Sequence, residues 1–208
     1  MASADRSFAL AVSIPYLMPM PMPEPPQDLS RSSLAEIAQL AADRKLPPVE
    51  SWNPTHCGPS DMRIARDGTW FHQGSPIERQ AMVRLFSTIL RREPDGGYVL
   101  VTPVEKLDIE VEDAPFVAVE MKSEAEGRSR SLAFRLNTGD LIVAGPANRI
   151  LLRRGGEDPH PYVEVRRGLD ALIARPVYYE LAEIALAEGA EPPGLWSNGA
   201  FFPLVEFA

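Results

Sequence analysis

Apolar and polar positions are patterned most sharply between Asp61 and Met121. Met62, Ile64 and Ala65 run into Asp67-Gly68, and Thr69-Trp70-Phe71 resumes on the far side. That order predicts two strands joined at a tight turn, because both central positions of a type I′ turn need φ > 0 and Asp-Gly tolerates it. Gln73-Gly74 closes the second strand, and Ser75-Pro76-Ile77-Glu78 has the form of a helix start. Ser75 would be the N-cap, Pro76 the first helical residue, and Glu78 the partner in a capping box. In a helix reaching Arg92, Met82, Leu85, Phe86 and Ile89 fall at i, i+3, i+4 and i+7, the spacing of one buried stripe. Asp95-Gly96-Gly97 then turns the chain into Tyr98-Val99-Leu100-Val101. The expectation is a ββαβ unit.

Upstream, Ser32 or Ser33 can cap a helix that buries Leu34, Ile37, Ala38 and Ala41 and stops before Pro47-Pro48. Downstream the period becomes two. Leu107, Ile109 and Val111 alternate with Asp108, Glu110 and Glu112; Phe116 to Met121 and Leu132 to Leu136 continue the series. Leu141 to Val143, Ile150 to Leu152 and Tyr162 to Val165 add short apolar runs. Leu169, Leu172 and Ile173 read as one helical turn; Pro176 resets a helix lined by Tyr178, Leu181, Ala182 and Ala185 as far as Gly189. Regular short strands predict a strongly bent antiparallel sheet, and strands followed by one closing helix make the order of a pleckstrin-homology-like half-barrel, one α+β arrangement among several with that pattern. The fold class expected is therefore α+β, with a small ββαβ part over residues 31–103 and a larger part over 104–208. Thr102 to Lys106 is too short for a free linker, so the parts should be docked, with Trp52, Trp70, Phe116 and Trp196 as apolar filling. A Trp flanked by turn glycines occurs at Gly68–Gly74 and again at Gly194–Gly199, and Arg175-Pro176-Val177-Tyr178 resembles Ser75-Pro76-Ile77-Glu78. The order of these pieces differs, so they do not demonstrate a simple tandem repeat.

Residues 1–30 stand apart. Phe8 to Met22 is apolar but holds Pro15, Pro19 and Pro21, falls short of a membrane span and lacks a small-residue cleavage site, so a disordered or loosely docked extension is expected. The formal charge of −8 over 208 residues disfavours a general nucleic-acid binder. A basic stretch of Arg149, Arg153, Arg154, Arg166 and Arg167 suits a solvated strand edge. One cysteine, Cys57, excludes an intramolecular disulfide and fits a reducing cytoplasm. His56-Cys57 lack metal-ligand spacing, and no phosphate loop or other cofactor motif is present.

The motifs Trp52-Asn53-Pro54, Asp67-Gly68-Thr69-Trp70, Gly74-Ser75-Pro76-Ile77, Arg84-Leu85-Phe86-Ser87, Val101-Thr102-Pro103-Val104-Glu105-Lys106 and Glu112-Asp113-Ala114-Pro115-Phe116 resemble the bacterial domain-of-unknown-function family 1285. The resemblance covers roughly residues 33 to 205. It implies a duplicated α+β architecture, a pleckstrin-homology-like C-terminal part, and a ligand or partner site where the parts meet. It also implies a role in signalling or envelope-related regulation. It supplies no catalytic residues.

Candidate chemistry is concentrated near the expected junction. Glu105, Lys106, Glu112 and Asp113 can be written as a polar cleft for a cationic or zwitterionic ligand, or as ion pairs and turn caps that staple the junction. As an enzyme, Glu105 or Glu112 would be the base and Lys106 the electrostatic stabiliser. Arg79, Arg84 and Arg91 on the expected helix offer guanidinium groups to an anion, although a solvated helix face has the same composition. With Trp52 as a stacking platform, the candidate ligand set is Trp52, Arg79, Arg84, Glu105, Lys106, Glu112 and Asp113. Ser75, His72 and Asp61 supply triad residue types, but Ser75 is assigned to a cap and no nucleophile-elbow motif occurs. A non-catalytic module binding a small molecule or a protein is the favoured reading. A peptide could add to an edge strand at Leu132 to Leu136 or Ile150 to Arg153.

Overall fold

Turn chemistry organises the first sheet, though not at the position expected. Arg66-Asp67-Gly68 form a three-residue loop between Ala65 and Thr69, and Gly68 alone of the three takes positive φ. Strands β1 (His56–Ile64) and β2 (Trp70–His72) pair across it. The type I′ geometry lies one turn later, at Gln73-Gly74, where φ is 50° and 78°. This second turn sends the chain into a strand, so Ser75–Pro76 form β3 beside β2 and not the start of a helix. The helix α2 is Gln80–Thr88, with Arg79 at its N-cap and no side-chain cap. It buries Val83, Ser87 and Thr88, while Met82 and Leu85 face outward. Leu90–Arg92, expected at the end of that helix, is strand β4, followed by β5 (Tyr98–Val101) and β6 (Lys106–Val111).

The structure, a computed structural model, describes Leu29 and residues 32–154 and 159–204. The extension expected over 1–30 lies outside these residues except for Leu29, which is buried. Among the described residues there are two six-stranded sheets and one two-stranded hairpin. The second sheet comprises β7 (Phe116–Glu124), β8 (Ser131–Leu136), β9 (Leu141–Val143), β10 (Ile150–Arg154), β11 (Pro159–Arg166) and β12 (Leu169–Ile173). Leu169–Ile173 is a strand because Leu169, Ala171 and Ile173 alternate into the core, while Asp170 on the other face meets Arg153 at 2.6 Å. Helix α3 (Arg175–Glu188) closes this half-barrel, with a proline in its first turn and Gly189 as left-handed C-cap. The hairpin β13 (Gly194–Ser197) and β14 (Ala200–Pro203) completes the chain.

The two sheets have one topology. The first runs β3-β2-β1-β6-β5-β4 and the second, read the same way, β9-β8-β7-β12-β11-β10. Each is a pair of three-stranded meanders joined by one parallel contact, β1 with β6 and β7 with β12. This internal repetition is not the echo at Gly68–Gly74 and Gly194–Gly199, because β13 and β14 belong to neither sheet.

Two boundaries move. Lys106–Val111, placed by sequence in the second part, sits between β1 and β5, so the first sheet runs to Val111 and the division lies in 112–115 rather than at 103/104. Helix α1 (Leu34–Asp43), placed in the first part, packs on the second sheet: Leu29, Leu34 and Ile37 cover Ala133, with Leu141 and Val143 beside them. Ser33 caps α1 in a full capping box with Glu36. Leu132–Leu136, in β8, is an interior strand paired with β7 and β9, whereas Ile150–Arg153 lies in β10, at the edge of the sheet opposite β9 and α1. A continuous core joins Ile64, Trp70 and Val101 to Phe116, Leu136, Ile173 and Leu181.

Candidate functional site

Since the chain passes from α1 into the first sheet and back into β7, the end of the second sheet faces the first part along a seam rich in polar groups. The Asn137–Asp140 turn supplies one side. Asn137 Nδ2 donates to the carbonyl of Gly68 (3.1 Å), and its Oδ1 accepts from the Val117 amide (3.0 Å). The last turn of α2 supplies another: the Ser87 carbonyl accepts from Arg166 Nη2 at 2.6 Å, and the Arg166 guanidinium lies 5.4 Å from the Phe116 ring centre. Arg92 Nη1 donates to the Gly168 carbonyl (3.2 Å). Asp113 accepts from the Tyr162 hydroxyl (2.6 Å) and pairs with Arg66 (3.0 Å). Burial and then that hydrogen bond to Asp113 push the Tyr162 hydroxyl above its ordinary range.

Arg44, at the C-cap of α1, pairs with Asp140 through Nη1 and Oδ1. Around this pair are buried atoms with no hydrogen-bond partner among the described residues: Arg44 Nε and Nη2, Asp140 Oδ2 and Thr138 Oγ1. Thr138 is 1% exposed and Asp140 9%. Burial, and secondarily the charge of Arg44, pull the Arg166 guanidinium down to about 10, with Asp140 opposing. The three charges therefore feel one another. Groups of this kind are expensive to bury unless paired, which makes the cluster a candidate site.

The residues nominated from sequence do not converge. Trp52 is half-buried against the core, and its carbonyl accepts from Arg91 (2.7 Å). Arg79 is exposed at the start of α2. Arg84 is half-buried on α2, and its buried Nε has no partner among the described residues. Arg91 is not on a helix face: it lies in β4, donates to the carbonyls of Val49 and Trp52, and pairs with Glu93. Glu105 is exposed in the turn before β6, and Lys106 meets Glu93 at 3.2 Å. Glu112 pairs with Arg63 and accepts from the Arg66 amide (3.0 Å), next to Asp113. The length of β6 separates these two sets, roughly 20 Å at strand spacing. Glu112 is therefore too far from Lys106 to act with it, and Glu105, although next to Lys106 in the chain, is exposed while Lys106 is paired with Glu93. Ser75 and Asp61 are both exposed.

Of the nominated residues, Glu112 and Asp113 lie where the chain passes between the sheets. Arg44, Thr138, Asp140 and Arg166 were not singled out as ligand residues by sequence, where Asn137 to Asp140 is an ordinary turn and Arg166-Arg167 a solvated edge. Their proximity comes from α1 crossing to the second sheet, and no local pattern reports it. A separate shallow cavity of about 610 Å³ lies on the first sheet, lined in part by Asp61, Arg63, Phe71, Asp108 and Glu110. Its guanidinium is already engaged by Glu112 and by the Phe71 ring at 4.3 Å. The seam, where buried groups go unpaired among the described residues, is the stronger candidate. Among the described residues no set of three His, Cys, Asp or Glu side chains is placed to hold a metal, and no helix is long and apolar enough to cross a membrane.

Residues 47–114 match the model of the N-terminal domain of the domain of unknown function DUF1285, and residues 115–204 match that of its C-terminal domain. These matches meet at the passage between the two sheets. The chain is similar to a DUF1285 family protein from Silicibacter pomeroyi DSS-3, at 47% identity and a TM-score of 0.70, over 81% of this chain and 94% of that one. It is also similar to a DUF1285 family protein from Shewanella baltica OS155, at 27% identity and a TM-score of 0.48, over 60% of this chain and 91% of that one. No curated protein matches.

Proposed function

Because the chain belongs to the DUF1285 family and brings buried charges together between its two parts, we propose that it is a binding module with its ligand site at the seam. The observation that carries this reading is the set of buried atoms on Arg44, Thr138 and Asp140 that lack a partner among the described residues. The distance between Lys106 and Glu112, and the pairing of Lys106 with Glu93, favour binding over carboxylate–lysine catalysis. Arg44, Thr138 and Asp140 lie in the second part, beside the Asn137–Gly68 and Arg166–Ser87 bonds that tie it to the first, so a change there can be passed to the docking of the parts, as a role in signalling or envelope-related regulation would need. The test is a small-molecule library screened by thermal shift, with hits mapped by hydrogen exchange. A ligand of this kind should protect the Asn137–Asp140 turn and the last turn of α2. Hits that protect only the first-sheet cavity around Arg63 and Glu110 would move the site there.

A further inference from the structure

We propose that α1 is a releasable cover, and that the sheet face beneath it is an exchange site taken, on release, by α1 of a second copy of this chain. This goes beyond the seam reading and needs no ligand there. Helix α1 precedes both matched domains, which span 47–114 and 115–204, and each six-stranded sheet is complete without it. Its apolar footing is small. Of its ten residues only Leu34 and Ile37 are buried. With Leu29 they meet Ala133, Leu141 and Val143 in a cluster separate from the core that the two sheets share. An element with so few buried contacts opens at a lower free energy than the whole molecule. The shared core contains none of these side chains, so the sheets stay docked when α1 leaves.

The remaining ties are polar and lie at both ends of the cover. Glu120 and Glu124 on β7 accept from the amides of Leu29 (3.2 Å) and Leu34 (3.1 Å), and Lys122 donates to the Ser32 carbonyl. Arg135 holds the other oxygen of Glu120 (2.7 Å), which keeps that acceptor in place. At the far end Asp140 pairs with Arg44. Pro47-Pro48 follow at once, so release needs only the torsions of 44–48 to change. These contacts also say what fits the face. It takes two aliphatic side chains three residues apart, backbone amides at the carboxylate end, and an arginine ten residues beyond the first aliphatic. A second copy's α1 has that spacing by identity and remakes every contact, which is the ordinary route to an exchanged dimer.

The test mixes two intact variants. Ile37→Asp spoils the footing of α1 but leaves the face, whereas Ala133→Arg blocks the face but leaves α1. Size-exclusion chromatography with light scattering should find each alone monomeric and their equimolar mixture forming a heterodimer, since only the mixture holds both a free face and a free α1. The unmodified chain closes on itself at an effective concentration of about millimolar, so its own dimer should appear only near that concentration. Hydrogen exchange of the Leu34–Asp43 amides should run at least about tenfold faster than that of Phe116–Ala118. Should Ala133→Arg fail to fold, a peptide of residues 29–46 gives the same reading. It should bind Ile37→Asp at least about tenfold more tightly than the unmodified chain, whose own α1 competes with it. A mixture that stays monomeric while both variants fold, dimerisation of either variant alone, a peptide that Ile37→Asp does not bind, or α1 amides that exchange as slowly as those of β7 overturns the proposal.

Discussion

Gly68 meets two requirements at one position. Its φ of 84° is left-handed, and a Cβ there would stand 2.4 Å from Asn137 Nδ2 and 3.0 Å from Val117 Cγ2. Gly74 shares the first requirement, with φ of 78°, but a Cβ added to it would meet nothing within 4 Å. The pair separates backbone strain from seam packing. Gly74→Ala should cost about 1 kcal/mol, the left-handed penalty alone. Gly68→Ala should cost about 2–4 kcal/mol, since overpacking is added to the same penalty. Urea unfolding of both variants checks this, and equal losses would mean that Gly68 does not hold the seam. In the sequence Asp67-Gly68 was legible as a turn but not as this turn. Its type depends on which residues pair across it, and Asp67 uses its carboxylate on the Thr69 amide (2.9 Å) rather than taking positive φ. The candidate site was less legible still. Arg44 and Asp140 are each ordinary residues in their own stretch, and only the tertiary crossing of α1 makes them a pair.

Periodic strands were legible in the sequence, and short helices were less so. Alternation at Leu107 to Val111 and Leu132 to Leu136 has one burial solution, whereas the nine-residue α2 offers two stripes. Met82 and Leu85 form the more apolar stripe, but the chain places Val83 and Ser87 inward because α2 must lead directly into β4. That strand is tied down by a polar clamp: Glu93 joins Arg91 (2.7 Å) of β4 to Lys106 (3.2 Å) of β6, while Arg91 holds the carbonyls of Val49 and Trp52. Burial pushes the Glu93 carboxyl up, but hydrogen bonds and charges from Arg91 and Lys106 outweigh it and hold the group below its usual range. A carboxylate lowered in the folded state contributes stability above its unfolded value, about 4.3, and loses it as the pH falls through the lower folded value. Glu93→Gln should thus cost about 1.5–3 kcal/mol at neutral pH. The gap from the unmodified protein should close in acid, below about pH 4. Urea unfolding as a function of pH reads this directly; a gap that stays constant would exclude Glu93 as the titrating group.

Two sheets of the same topology could have been two independently stable domains. Three features argue that they are not. The chain crosses between them twice, at 44–48 and 112–115, with α1 covering the second sheet before the first sheet begins. The core is continuous from Ile64 and Trp70 to Phe116 and Leu136. The seam is bonded through Asn137 to Gly68, Arg166 to Ser87 and Arg92 to Gly168. Cooperative unfolding follows when the interface is as well packed as the interiors it joins. Trp70 is the residue on which to test this: it is 1% exposed, stacks with Phe86 at 6.4 Å between ring centres, and belongs to the shared core. Trp70→Ala should cost about 3–5 kcal/mol, from lost burial and the cavity left behind. Because the core is shared, the loss should appear in both sheets. Far-ultraviolet dichroism and hydrogen exchange at Leu132–Leu136, in the sheet that does not contain Trp70, should report the same lowered transition. If the Leu132–Leu136 amides keep their unmodified stability while the first sheet melts early, each half is held by its own interior and the seam is only a contact between them.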